Sequence, residues 1–184
     1  MNETIKAILD RRSIRNFKNI SLTDEQIQTF AQVALASPTG MDRQPWIFRL
    51  VTRLDLIQAM SDHAMNVFRE AGDLVTVDRM RSRHKSIFYG APLLILIGLP
   101  KDASSNLEAG IAVENLAIAA QSMGLASCII GMASAAFTGD RGDELKDMLD
   151  WPGTHDFAIS IAIGYPNTTK EAPERHPEKL KRID

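Results

Sequence analysis

The sequence predicts an α+β fold in which long helices pack on a sheet of about four short strands. Three observations predict it. Thr23-Asp24-Glu25-Gln26 is a capping box, threonine at the N-cap and glutamine three residues later. Leu107 to Met123 is a long alanine-rich stretch closed by Gly124, a natural helix stop. Phe157, Ile159, Ile161 and Ile163 alternate with Ala158, Ser160 and Ala162, the period of two that marks a strand.

Taken in order, a first helix is expected over residues 3–11, with Ile5, Ile8 and Leu9 on its apolar face. After the capping box, Ile27, Phe30, Ala31, Ala34 and Leu35 recur at helical spacing until Ser37-Pro38-Thr39-Gly40 breaks the helix. Ile47 to Thr52 reads as a strand, and residues 54–89 as mixed and mostly helical. Leu93 to Leu99, bounded by Pro92 and Pro100, reads as a buried strand. In the Leu107–Met123 helix, Ala109, Ala112, Ala117, Ala119 and Ala120 spread round the axis, which predicts burial on most faces. Ser127 to Ile130 is a short strand. From Pro166 onward, Pro173, Pro177 and nine charged residues predict an extended tail. The expected organisation is one domain over residues 1–184, with the tail at 166–184.

Composition bounds the chemistry. The chain has 184 residues, 45% apolar and 24% charged, enough for a sizeable core without staples. A formal net charge of −2 offers no global basic field for nucleic acid. A single cysteine, Cys128, excludes an internal disulfide framework and a multi-cysteine zinc site. The run from Gly90 to Pro100 is about half of the ~20 residues a spanning helix needs, and the uncharged stretch Asn115 to Gly139 is too rich in polar residues and glycine to face lipid. A cytoplasmic protein without membrane or nucleic-acid partners is expected. No G-x-G, P-loop glycine pattern or nucleophile elbow is present, and His63, His84, His155 and His176 lack metal-ligand spacing. No metal site is expected. Any phosphorylated cofactor must therefore be held by side chains.

Three segments could hold one. Arg11-Arg12-Ser13-Ile14-Arg15 places three guanidiniums and a hydroxyl at the end of the first helix. Such a cluster can clamp a phosphate through bidentate forks, or complement the helix macrodipole. Ala36 to Trp46 is a polar loop between a helix and a strand, where ligand-binding groups often lie. Gly124 to Met132 carries a strand that ends in Gly131, where backbone N–H groups can approach a flat ligand closely.

In this order the motifs resemble the nitroreductase family of FMN-dependent NAD(P)H oxidoreductases. The resemblance runs from Arg11 to Phe17 and through Ser37 to Trp46. It resumes at Phe88-Tyr89-Gly90-Ala91-Pro92, at Glu108 to Leu116 and at Gly124 to Met132, and ends with Ala162 to Pro166 and a basic tail. Only residues 53–85 fit poorly. It implies a mixed or antiparallel sheet of four or five strands flanked by helices, in an intertwined homodimer with FMN at the interface. Arg11, Arg12, Ser13 and Arg15 would then hold the phosphate and ribityl chain, joined by Arg175 from the tail, with Lys170 a second candidate. Pro38, Thr39, Gly40, Asp42 and Gln44 would reach the flavin from the other protomer. Ile130, Gly131 and Met132 would face its reactive edge, with Arg83 or Lys85 near the pyrimidine side. The implied reaction passes hydride from NAD(P)H through FMN to a nitroaromatic, quinone or related acceptor; a flavin-binding protein for storage, sensing or breakdown is the alternative. No catalytic acid or base is implied, because the flavin carries the chemistry. Asp42 departs from the family, which commonly has asparagine there; its charge is expected to be neutralised, most simply by Arg43, or turned away, the alternative being that it lies near the ring and lowers the reduction potential.

Overall fold

The computed structural model describes residues 1–83 and 86–184. Six α-helices are assigned among them: α1 (Glu3–Asp10), α2 (Asp24–Leu35), α3 (Leu54–Glu70), α4 (Leu74–Arg83), α5 (Leu107–Ser122) and α6 (Gly139–Met148). The strands are β1 (Ile47–Val51), β2 (Leu93–Pro100), β3 (Ala126–Ile130) and β4 (His155–Gly164). They form one antiparallel sheet in the order β1-β2-β4-β3. The α+β class and the helix-flanked sheet are as expected. Among the described residues, no helix is long and apolar enough to cross a membrane.

Alternation along β2 divides the core in two. Leu94 and Leu96 face one cluster together with Ala162 and Cys128, covered by Met60 and Ala64 of α3, Met80 of α4 and Leu145 of α6. Leu93, Ile95, Ile97 and Leu99 face the other with Ile161 and Ile163, covered by Phe30 of α2 and Ala109, Ala112 and Leu116 of α5. With helices on both faces, the run Leu93–Leu99 is buried throughout, which is why it reads as continuously apolar. Each such Leu or Ile contributes about 1.5–3 kcal/mol by its burial.

The ends of the elements follow local chemistry. The Thr23 hydroxyl accepts from the Gln26 N–H at 3.2 Å while Gln26 Oε1 accepts from the Thr23 N–H at 2.9 Å, so the capping box is complete. At the end of α5, the N–H of Leu125 reaches the Ala120 carbonyl and that of Gly124 the Gln121 carbonyl. This is a Schellman motif, with Gly124 in the left-handed conformation at φ +71°. Between Ile97 and Gly98 the β2–β4 register slips by one residue. A Cβ on Gly98 would lie 2.5 Å from Trp151 Cζ2, so this bulged position needs glycine.

Two expectations change. In α1 only Ala7 is buried, whereas Ile5, Ile8 and Leu9 remain 45%, 43% and 51% exposed. That helix lies on α5 with its strongest apolar stripe turned away from its own core. In α5, Ala109, Ala112, Ala117 and Ala120 are fully buried as expected, but Leu107, Gly110, Ile111, Glu114 and Ile118 form a partly open stripe. The sheet edges also differ. The β3 edge is covered by the segment after α1, through a parallel bridge of Ser13 with Ser127. The outer edge of β1 pairs with no strand among the described residues.

Candidate functional site

The covered β3 edge brings the arginine cluster to the glycine-ended strand. α1 stops at Arg11, and Arg12 Nη1 donates to the carbonyls of Leu9 and Arg11 at 2.8 Å each, capping the helix end. The next residues join β3: Ile14 N–H donates to the Ser127 carbonyl at 3.0 Å. That places Arg15 beside the last residues of β3. Further on, Phe17 bridges to Pro166 and Lys18 N–H donates to the Tyr165 carbonyl at 2.9 Å, tying the start of the tail to the same edge.

Two cavities meet at Arg15. One, of about 350 Å³, is lined by Ser13, Ile14, Arg15 and Asn16 with Thr168, Thr169 and Lys170 of the tail. The other, of about 250 Å³, is lined by Arg15, Arg79 and Tyr89 together with Cys128 and the run Ile130-Gly131-Met132. The Cys128 thiol reports the local field. Burial pushes its pKa up, and the positive charges of Arg15, Lys170 and Arg11 pull it back. Three cations from two distant parts of the chain thus converge on one end of β3.

At that end, fully buried Ser160 of β4 donates its hydroxyl to the Ile130 carbonyl at 2.8 Å. This satisfies the carbonyl where the strand departs into the 3₁₀ turn Met132–Phe137. The first bond closing that turn runs from Ser134 N–H to the Gly131 carbonyl, at 3.2 Å, so the N–H groups of Gly131 and Met132 precede it and have no partner among the described residues. Arg11 Nε and Arg12 Nε are also buried without hydrogen-bond partners among the described residues. Glu114 Oε1 lies 3.2 Å from Arg11 Nε, close enough for ion pairing but off the hydrogen-bond line. The donors are cationic or amide N–H groups, and they suit a phosphate at one end and a flat heterocycle with carbonyl acceptors at the other.

The polar loop stands elsewhere in the chain. Gly40 lines a separate cavity of about 410 Å³ with Arg43, Pro45, Asp102 and Glu108, at the start of α5. Its backbone is strained: Met41, Asp42 and Gln44 have φ of 53°, 52° and 47°. Thr39 Oγ1 accepts from the Gln44 N–H at 3.0 Å, and Gln44 Nε2 donates to Asp42 Oδ1 at 2.9 Å. Arg43 instead points Nη2 at Met41 Sδ, 3.7 Å away, so the glutamine amide and not the neighbouring arginine engages Asp42. Within one chain, Pro38, Thr39, Gly40, Asp42 and Gln44 do not join the cavities around Arg15.

In the tail, Lys170 lines the cavity with Ser13, whereas Arg175 lies farther along, exposed, and lines neither cavity at Arg15. Of the expected ring-edge cations, Lys85 lies outside the described residues and Arg83 is described by its backbone alone. Arg79 of α4 stands in the cavity instead. Sequence reading missed it because α4 is polar and weakly periodic, so nothing local separates Arg79 from a solvated arginine.

Comparison with known proteins settles the kinship. The pattern of the Nitroreductase family matches residues 8–165. The chain belongs to that family. Among solved nitroreductases, one from Desulfitobacterium hafniense with bound FMN superimposes with a TM-score of 0.94 at 32% identity over 100% of both chains. An NADPH-flavin oxidoreductase of Vibrio harveyi is 29% identical over 96% of this chain and 71% of its own. An FMN reductase (NADPH) of Bacillus subtilis is 28% identical over 97% and 72% respectively. The nitroreductase motifs quoted above all fall within the matched span, apart from the tail after Tyr165.

Proposed function

We propose that this chain is an FMN-dependent NAD(P)H oxidoreductase acting on a nitroaromatic, quinone or related small acceptor. The observation that carries the reading is the pair of cavities sharing Arg15, one with Ser13 and Lys170 and the other with Gly131, Met132 and Arg79. Bound FMN supplies hydride relay between nicotinamide and acceptor. Arg11, Arg12, Ser13, Arg15 and Lys170 hold its phosphate and ribityl chain, with Arg175 a further tail cation on the strength of the motif. The N–H groups of Gly131 and Met132, presented by the end of β3, stabilise negative charge at the reactive edge of the ring. Arg79 adds positive charge on the same wall. No side chain need act as proton donor, since solvent reaches the open cavity.

A homodimer completes the site in this reading. The strained loop carrying Thr39, Gly40, Asp42 and Gln44 cannot serve the Arg15 cavities of its own chain and reaches those of the partner. Support comes from surfaces that lack cover. Ile5, Ile8 and Leu9 of α1, a helix packed on α5, are exposed, and so is the open stripe of α5, while the tail exposes Leu180 and Ile183 by 80% and 78%. Beside the free edge of β1 runs an apolar groove of about 260 Å³, lined by Ala31, Leu35, Trp46, Phe48 and Leu50. The Trp46 indole N–H is buried and without a partner among the described residues. A tail from the second copy would supply both apolar cover and backbone acceptors. A cytoplasmic location, with NAD(P)H as reductant, fits this reading.

The test is colour followed by bleaching. Purified protein should be yellow, lose that colour anaerobically with NADH or NADPH, and regain it with a nitroaromatic or quinone. A yellow protein that neither nicotinamide bleaches would instead be a flavin carrier or sensor. A colourless protein that rejects added FMN would end both readings.

A further inference from the structure

Tyr89 is the one bulky residue at the Arg15 cavity with a left-handed backbone, at φ 59°, followed by Gly90 at φ 73°. A tyrosine there is a steric outlier that its surroundings must enforce. They do so visibly. Ile87 N–H donates to buried Ser61 Oγ at 3.0 Å, Phe88 N–H to Ser86 Oγ at 3.1 Å, and Tyr89 N–H to the Ser86 carbonyl at 3.2 Å. Ile87 and Phe88, the two residues inside this turn, are fully buried. The turn fixes Tyr89, 5% exposed, against the cavity that Arg15, Arg79, Gly131 and Met132 also line. Its hydroxyl has no hydrogen-bond partner among the described residues. The ring is buried but the hydroxyl oxygen is not among the buried unpartnered atoms, so it stays open and free to donate to a group that enters the cavity. Strain and an unpaired donor at a cavity walled by two guanidiniums point to an acceptor of negative character inside it.

We propose that the Tyr89 hydroxyl donates a hydrogen bond to the flavin ring, and that the bond is stronger to the negatively charged two-electron-reduced ring than to the oxidised one. This rests on the cavity being the flavin site. Arg15 and Arg79 supply the field, and Tyr89 supplies a directional donor that tunes the reduction potential.

Tyr89→Phe removes the hydroxyl and keeps the ring. Three quantities are measured on it and on the unaltered protein: apoprotein melting temperature, FMN affinity and flavin midpoint potential. The apoprotein of the variant should melt no lower. Oxidised FMN should bind a few-fold more weakly, and reduced FMN about tenfold more weakly again, given the greater strength of bonds to charged groups. That tenfold difference corresponds to a midpoint about 30 mV more negative for a two-electron couple. Equal potentials and affinities would overturn the role of Tyr89 while leaving the flavin site intact. A fall of several degrees in the apoprotein melting temperature would also overturn it, because the hydroxyl would then have an internal partner. If the unaltered protein binds no FMN, the site reading fails first and this proposal fails with it.

Discussion

Arg12 and Lys170 approach the same proposed phosphate from different structural duties. Arg12 Nη1 is already engaged by two carbonyls at the end of α1, whereas Lys170 makes no ion pair among the described residues and simply lines the cavity with Ser13. Their alanine variants should therefore part company. Lys170→Ala should leave the apoprotein melting temperature unchanged and weaken FMN about tenfold, with riboflavin unaffected, since a charge-assisted bond contributes roughly 1.5–3 kcal/mol. Arg12→Ala should lower the melting temperature as well as FMN affinity, because a half-buried helix cap is lost with the phosphate donor. Thermal scans and titrations with both flavins decide it; equal loss of FMN and riboflavin in Lys170→Ala would remove Lys170 from the phosphate. The sequence could not rank these two. The arginine cluster was visible as a cluster, but its division into cap and clamp depends on where α1 ends, and the convergence of Lys170 on it depends on the tail joining the β3 edge.

Among the elements, those written in a local code were legible. The capping box of α2, the Pro-bounded β2, the glycine stop of α5 and the alternation in β4 each need only a few neighbouring residues. By contrast α6, with the sequence GDRGDELKDM, contains two glycines and buries only Gly142 and Leu145. It exists because the preceding turn packs against it: a Cβ on Gly142 would lie 2.4 Å from the Phe137 carbonyl carbon. The bulge at Gly98 is equally nonlocal, set by Trp151 and Ile47 crossing over it. Gly98→Ala should cost about 2–3 kcal/mol by overpacking, a fall in melting temperature on the order of 5–10 °C for a chain of this size. An unaltered melting temperature would mean that the Trp151 ring yields without strain, despite its hydrogen bond from Nε1 to the His155 carbonyl and its stacking on Phe137.

At the scale of the whole molecule, the open stripe of α5, the outward face of α1, the free β1 edge and the exposed tail make a surface expected to be covered. Sedimentation at low micromolar concentration should give a dimer. Removing residues 167–184 should shift it toward monomer and release FMN, because it deletes Lys170 along with whatever the tail covers. A full-length monomer that keeps its flavin would contradict the shared site. The alanine richness of α5 was plain in the sequence. That α1 would pack on α5 yet leave Ile5, Ile8 and Leu9 uncovered was not, since contacts between elements so far apart in the chain are written in no local pattern.

The Schellman closure of α5 leaves very little chain before β3: the helix ends at Ser122, and the strand begins at Ala126. Side chains alternate along a strand, so one residue gained or lost in that junction would turn Cys128 and Ile130 to the opposite face. Gly131 and Met132 would be displaced from the cavity by the same step. This short span is therefore expected to change over generations by replacement and not by insertion or deletion. The stretch of tail beyond Lys170 carries no such phase, so a change in its length would leave Gly131 and Met132 facing the same cavity.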